Sequence, residues 1–206
     1  MNIIWKMKLH QYVEGQARDH EDRSMPYFIA EAGVNHEGNL DIAKNLIRLA
    51  AEGGADAVKF QTYRADTIAS RNSPAYWDIK KESTESQYQL FKKYDKFWKK
   101  EFEELKNCCD QYKIEFLSTP FDIESATFLA DLMDVFKISS SDITNKPFIE
   151  YISGFGKPVI LSTGAANLDE IADAIRWIEK NDVSVALLHC VLNYPTTEAN
   201  ANLSMI

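Results

Sequence analysis

Residues 40–62 read LDIAKNLIRLAAEGGADAVKFQT, and the fold class follows from this stretch. Its first half has apolar residues three and four positions apart, which is the spacing of one helix face: Leu40, Ala43, Leu46, Ile47 and Ala50. Gly53 and Gly54 end this helix, and the apolar run at residues 55–60 predicts a buried strand. A helix followed directly by a buried strand is the repeating unit of an α/β protein with a parallel sheet.

The same alternation continues along the chain and predicts six strands. A second amphipathic helix carries Leu168, Ile171, Ala174, Ile175 and Ile178 on one face and begins at Asn167. The six runs of apolar or β-branched residues lie at 27–30, 55–60, 114–117, 135–138, 158–161 and 183–188.

Composition narrows the functional class. The 206 residues include 31 acidic and 23 basic side chains, a formal charge of -8, so no basic surface for nucleic acid is expected. Three cysteines fit neither a disulfide framework nor a metal-binding spacing. No run of about 18 apolar residues predicts a membrane span. A cytoplasmic protein without a membrane partner is expected.

Two segments stand outside the alternation. Residues 1–26 form a polar leader, with a hairpin as one interpretation, and residues 27–206 form the predicted α/β domain. The stretch from Thr62 to about Phe97 is a long, aromatic-rich insertion after the second strand. It fits either a lid over a functional face or a packed peripheral excursion.

Polar residues gather where each predicted strand ends. In parallel sheets the carboxyl ends of the strands carry the functional groups. Lysines, hydroxyls and helix N-termini together suit a phosphate or a carboxylate, whereas Glu31 and Asp142 suit proton transfer or polyol binding. The six clusters are Glu31 to Gly38, Lys59 to Thr62, Ser118 to Phe121, Lys137 to Asp142, Ser162 to Gly164, and His189-Cys190 with Asn193 to Thr196.

These clusters sit in strings that resemble the N-acetylneuraminate (sialic acid) synthase family, including legionaminic and pseudaminic acid synthases and spore-coat polysaccharide relatives. The strings are IAEAGVNHEG (29–38), GADAVKFQT (54–62), FLSTPF (116–121), FKISSS (136–141), GKPVILSTG (156–164) and LLHC (187–190) followed by NYPT (193–196). The resemblance implies a TIM (β/α)8 barrel followed by an antifreeze-like domain, in a homodimer. It also implies condensation of phosphoenolpyruvate with an N-acetylmannosamine-type aldehyde, dependent on Mn²⁺ or Mg²⁺.

The resemblance also assigns individual residues. Glu31 and Gln61 match positions beside the metal and the reacting carbons, and Asp142 replaces a sugar-binding glutamate. Tyr194 matches a position that contacts both substrates. The residues that match phosphoenolpyruvate-binding positions are Lys59, Thr119, Lys137, Ser140, Ser162, Asn193 and Tyr194.

The sequence departs from the family pattern in two respects. The two histidine-bearing strings that hold the metal in the family, Ser-Asp-His and Arg-His-Phe, are absent, so no metal ligand is expected in this chain. His36 and His189 are interpreted instead as organising their own loops. Residues 27–206 number 180, whereas a complete barrel needs about 250. We therefore expect a barrel truncated after about six βα units, without the second domain and inactive in isolation.

Two other functions also fit this sequence. Lys59 or Lys137 at a strand end also fits a Schiff-base aldolase, in which the amine attacks a carbonyl group. Alternatively, the chain is a non-catalytic fragment that only binds phosphoenolpyruvate.

Overall fold

The computed structural model describes residues 7–15, 26–193 and 195–206. It divides into two compact units, Tyr27–Leu132 and Met1–Pro26 with Met133–Ile206. We call them the 27–132 unit and the 133–206 unit. Each is an α/β arrangement around its own three-stranded parallel sheet.

The sheet of the 27–132 unit contains β1 (Ile29–Gly33), β2 (Ala57–Thr62) and β3 (Glu115–Pro120), with β2 in the middle. Both pairings are parallel, with Glu31 opposite Lys59 and Gln61 opposite Thr119. The central strand buries Ala57, Val58 and Phe60 completely or nearly so. This apolar centre fixes the register of the polar residues that follow it.

Five helices belong to the same unit: α2 (Leu40–Glu52), α3 (Ala65–Ile68), α4 (Gln87–Tyr94), α5 (Lys99–Tyr112) and α6 (Ile123–Leu129). Helix α1 (Leu9–Val13) precedes them in the chain and belongs to the other unit. Phe102, Leu105 and Cys109 of α5 are buried at helical spacing, which explains the position of this helix on the core. Lys44 of α2 pairs with Glu104 of α5 at 2.9 Å.

The 133–206 unit contains the short helix α1 (Leu9–Val13) and the parallel strands β4 (Phe136–Ile138), β5 (Val159–Ser162) and β6 (Val185–Leu188), with β5 in the middle. Helices α7 (Lys146–Ser153) and α8 (Leu168–Glu179) contact each other. Among the described residues of this unit, 3₁₀ turns lie at Ser140–Asp142, Glu198–Asn200 and Leu203–Met205.

The α/β class, the parallel sheets and all six predicted strands are confirmed. The predicted helix start at Asn167 is confirmed too, and the first helix begins after Asn39. The Asn39 side chain accepts hydrogen bonds from the backbone N–H groups of Asp41 and Ile42, and that of Asn167 accepts one from Glu170. A hairpin was one interpretation of the predicted leader, and the structure has helix α1 there at Leu9–Val13. Residues 1–6 and 16–25 of this segment lie outside the described residues.

The insertion after β2 is buried at its ends and more exposed in its middle. Tyr63, Ala65, Asp95 and Phe97 are buried, whereas Tyr76 is 77% exposed. Both ends therefore pack into the 27–132 unit, as the packed interpretation predicted. Within the described residues, no helix combines the length and the apolar character that crossing a membrane requires.

Candidate active site

Glu31 and Lys59 form an ion pair between neighbouring strands of the 27–132 unit. The two residues are register partners in the β1–β2 pairing. The Lys59 side chain is 14% exposed, whereas that of Glu31 is 48% exposed. The ammonium group is therefore largely removed from water while its partner stays accessible. Such a partly desolvated cation at a strand end attracts an anionic ligand strongly.

An irregularity in β1 accompanies this pair. The pairing register shifts between Glu31 and Gly33, so that Ala32 is an additional residue in the strand. Gly33 has a φ of 52°, and a Cβ atom there would lie 3.2 Å from Glu31 Oε1 and 3.7 Å from Gln61 Nε2. Glu31, Gln61 and Lys59 are thus gathered at the carboxyl end of β1 and β2.

Thr119 lies on the neighbouring strand at the same end of the sheet. It is the register partner of Gln61, and only 4% of its surface is exposed. Beside it, the hydroxyls of Thr62 and Ser118 share a buried hydrogen bond of 2.6 Å. That bond satisfies both hydroxyls inside the sheet, so Thr62 and Ser118 have a structural role next to Thr119.

His36 is buried in the loop that follows β1. Its Nδ1 accepts a hydrogen bond of 3.1 Å from the backbone N–H of Gly38, and its ring stacks on Phe97 with centroids 4.1 Å apart. Burial lowers the pKa of His36 to about 4. The neutral ring is therefore the stable form at physiological pH, which agrees with the prediction that His36 organises its own loop.

A small cavity opens between the β1 loop, the end of β2 and the insertion. Its lining consists of His36, Gln61, Tyr63, Tyr94, Asp95, Phe97 and Phe102. Asp95 is fixed there by hydrogen bonds from the Ala65 N–H at 3.0 Å and from Lys92 Nζ at 3.3 Å. The insertion therefore forms one wall of the space next to Gln61. In the sequence, the aromatic content of the insertion was the signal for this wall. That signal did not identify which of its residues line the cavity.

The 133–206 unit has a second cluster at the end of β4. Lys137 is 7% exposed, and its Nζ donates a hydrogen bond of 2.6 Å to the carbonyl of Ile138. Asp142 lies in the following 3₁₀ turn. Burial raises the pKa of Asp142, whereas hydrogen bonds from Asn145 and Ser141 and the charge of Lys137 act in the opposite direction. Lys137 and Asp142 therefore belong to one electrostatic cluster.

The remaining predicted residues of this unit differ in their exposure. Ser140 is 9% exposed, Ser162 is half-buried at the end of β5, and Asn193 is exposed. The Asn193 carbonyl accepts a hydrogen bond of 2.6 Å from the Thr196 hydroxyl. Tyr194 lies outside the described residues.

The described residues do not provide a metal centre. Within residues 7–15, 26–193 and 195–206, no group of three or more His, Cys, Asp or Glu side chains is placed to hold one metal ion. A divalent ion needs several such ligands in a fixed arrangement. The described side chains therefore do not fit the Mn²⁺ or Mg²⁺ that the family resemblance implies.

Curated relatives match most of the chain. It is 43% identical over 184 residues to the N,N'-diacetyllegionaminic acid synthase of Campylobacter jejuni. The aligned residues cover 85% of this chain and 54% of that protein. It is 39% identical over 185 residues to the enzyme of the same name from Legionella pneumophila, with coverage of 86% and 52%. The chain thus spans about half the length of the curated relatives that it matches.

A solved structure is similar as well. The N-acetylneuraminic acid synthetase of Leptospira borgpetersenii, crystallised with citrate, superimposes with a TM-score of 0.78 at 38% identity, over 87% of this chain and 59% of that one. The sequence profile of the NeuB family matches residues 46–206, which include five of the six strands. The resemblance carried by the strand-end strings is thereby confirmed, and the chain belongs to the NeuB family.

Proposed function

We propose that this chain supplies the phosphoenolpyruvate-binding part of a synthase that joins phosphoenolpyruvate to an N-acetylmannosamine-type aldehyde. The products are a sialic-acid-like nonulosonate and phosphate. The observation that carries the proposal is the largely desolvated Lys59, paired with the accessible carboxylate of Glu31 at a strand end. Membership of the NeuB family and the names of the relatives support it.

The proposed chemistry needs one carbon–carbon bond and one water. The methylene carbon of phosphoenolpyruvate attacks the aldehyde carbon, and the aldehyde oxygen takes up a proton. Water adds to the cationic carbon that results, and the phosphate leaves. The positive charge on that carbon makes a nearby carboxylate useful, because preorganised opposite charge stabilises a transition state. Glu31 is half-exposed at this strand end and suits that role or the orientation of the water.

Each of the other candidate residues has a proposed role in binding the substrates. Lys59 and Lys137 neutralise the phosphate and carboxylate groups, because a lysine ammonium binds such anions as a point charge. Thr119, Ser140 and Ser162 donate hydrogen bonds, Gln61 lies beside the reacting carbons, and Asn193 and Tyr194 contact the substrates. Asp142 and Tyr194 bind the sugar. Burial raises the pKa of Asp142, and its carboxyl group can still accept hydrogen bonds from the sugar hydroxyls.

The whole protein is expected to have further features of the family. We expect a (β/α)8 barrel of which this chain contains about six units, a cytoplasmic homodimer, and a divalent metal ion held by histidines outside these 206 residues. The described residues of this chain do not themselves fit that ion.

Phosphate release by the full-length gene product tests the function. Phosphoenolpyruvate with N-acetylmannosamine or its diacetamido analogues should give phosphate and a nonulosonate, and a chelator should abolish both. Titration calorimetry with phosphoenolpyruvate separates binding from turnover. Binding without phosphate release from any of these sugars would favour the non-catalytic alternative.

A further inference from the structure

The loop after β5 is attached to the end of β6 and to the loop that follows it by three hydrogen bonds. The Leu188 carbonyl accepts two of them, from the Thr163 N–H at 3.2 Å and the Thr163 hydroxyl at 3.0 Å. The Gly164 N–H donates the third, to Cys190 Sγ at 3.0 Å. Cys190 thus satisfies a backbone donor just beyond the end of β5.

Close packing accompanies the hydrogen bond to sulfur. A Cβ atom on Gly164 would lie 2.8 Å from Cys190 Sγ and 3.0 Å from the Cys190 carbonyl oxygen. Both distances are below those of ordinary contacts, so residue 164 must lack a side chain for the two loops to approach this closely. The glycine and the cysteine are therefore one fitted pair.

Ser162 immediately precedes the attached residues. It ends β5 as the register partner of Leu188. Its side chain is half-buried, and within the described residues its hydroxyl takes part in none of the hydrogen bonds that hold the two loops. The hydroxyl is thus held in place by its neighbours while remaining available to a ligand.

We propose that Cys190 is a positioning residue that fixes the Ser162–Gly164 loop in the conformation that binds phosphoenolpyruvate. This inference rests on the proposed function, which assigns Ser162 to that ligand. Cys190 does not touch the substrate; it acts through the Gly164 N–H. Cys190 itself is half-buried.

Calorimetry with phosphoenolpyruvate on the full-length protein tests the inference, with Cys190→Ala, Cys190→Ser and, as the matched control, Cys108→Ala in α5. Cys190→Ala should raise the Kd about fivefold, the effect of one net hydrogen bond, with little change in kcat. Cys190→Ser keeps an acceptor at this position and should recover most of the affinity. Cys108→Ala should bind as the wild type does.

Hydrogen exchange supplies a second reading that does not depend on the ligand. The Gly164 amide should exchange faster in Cys190→Ala and not in Cys108→Ala. If the wild type itself fails to bind phosphoenolpyruvate, the proposed function is wrong. If the wild type binds it and Cys190→Ala binds equally well, or if the Gly164 amide exchanges at an unchanged rate, the positioning role is wrong.

Discussion

Glu31 and Lys59 are paired across β1 and β2, and the carboxylate is the more exposed partner of the two. The pair adds little to folding stability, because water screens the half-exposed carboxylate of Glu31. The pair is more significant for binding: an anion that approaches Lys59 must compete with Glu31 for the same ammonium group. The two residues therefore have separable effects on ligand affinity and on turnover.

Replacing Lys59 with Ala should weaken phosphoenolpyruvate binding by about 2–5 kcal/mol, because the ammonium is largely desolvated. Titration calorimetry of the full-length protein measures this loss. Lys44→Ala is the matched control, since Lys44 also forms an ion pair, with Glu104, but on the helices. Equal affinity of the wild type and Lys59→Ala would remove Lys59 from the site.

Replacing Glu31 with Gln should have the opposite effect on binding. Without the competing carboxylate, phosphoenolpyruvate should bind about threefold to tenfold more tightly at low salt, while kcat falls. Initial rates and calorimetry at two salt concentrations measure both quantities. Glu37→Gln, a neutralised exposed carboxylate in the neighbouring loop, should change neither. Weaker binding by Glu31→Gln would mean that Glu31 is needed to orient Lys59.

The strands were predictable because their cause is local. Apolar runs bounded by polar residues identified all six. In the structure each strand begins one or two residues later than predicted, and four of them continue further at the carboxyl end. β2 continues through Gln61 and Thr62, and β3 through Thr119 and Pro120, because parallel pairing with the neighbouring strand persists there. Residue type alone did not indicate that these polar residues belong to the sheet.

The contacts of the candidate site were less predictable because they depend on distant residues. The Glu31–Lys59 pair accompanies one additional residue in β1, and no pattern in the sequence signals that irregularity. The burial of His36 depends on Phe97, which lies at the far end of the insertion. The contact of Gly164 with Cys190 likewise joins two loops that are separated by α8 and β6.

His36 should make folding stability depend on pH in a defined window. Burial lowers its pKa from 6.5 to about 4, so between these values the unfolded chain binds a proton that the folded chain does not. The free energy of unfolding should therefore fall as the pH falls from 6.5 to 4, by up to about 3 kcal/mol. His36→Phe keeps a ring against Phe97 and should lack this contribution.

Urea denaturation at several pH values across that window measures the difference between the two proteins. Asn35→Ser, which changes an exposed and uncharged residue of the same loop, is the control and should retain the wild-type slope. A slope in His36→Phe equal to that of the wild type would show that other groups cause the pH dependence.

Borohydride reduction in the presence of pyruvate should leave no adduct on Lys59 or Lys137. A Schiff-base lysine attacks as an uncharged amine, whereas Lys59 is paired with a carboxylate and Lys137 donates a hydrogen bond to the Ile138 carbonyl. Peptide mass spectrometry after reduction detects such an adduct directly. An adduct on either lysine would replace the proposed function with the aldolase.

The 206-residue chain alone should self-associate and should release no phosphate from phosphoenolpyruvate and an amino sugar. β6 pairs with β5 and with no other described strand, and Leu187 and Leu188 on it are 47% and 39% exposed. An open strand edge with exposed apolar side chains favours association with another chain. Sedimentation velocity over a range of concentrations measures this association.

Leu188→Lys should reduce the association, whereas Leu168→Lys, at a 71% exposed position at the start of α8, should not. A chain that stays monomeric and turns over substrate at about 1 s⁻¹ or faster would contradict the prediction, and a metal-binding site would then have to be sought among His36, His189, Glu31 and Asp142.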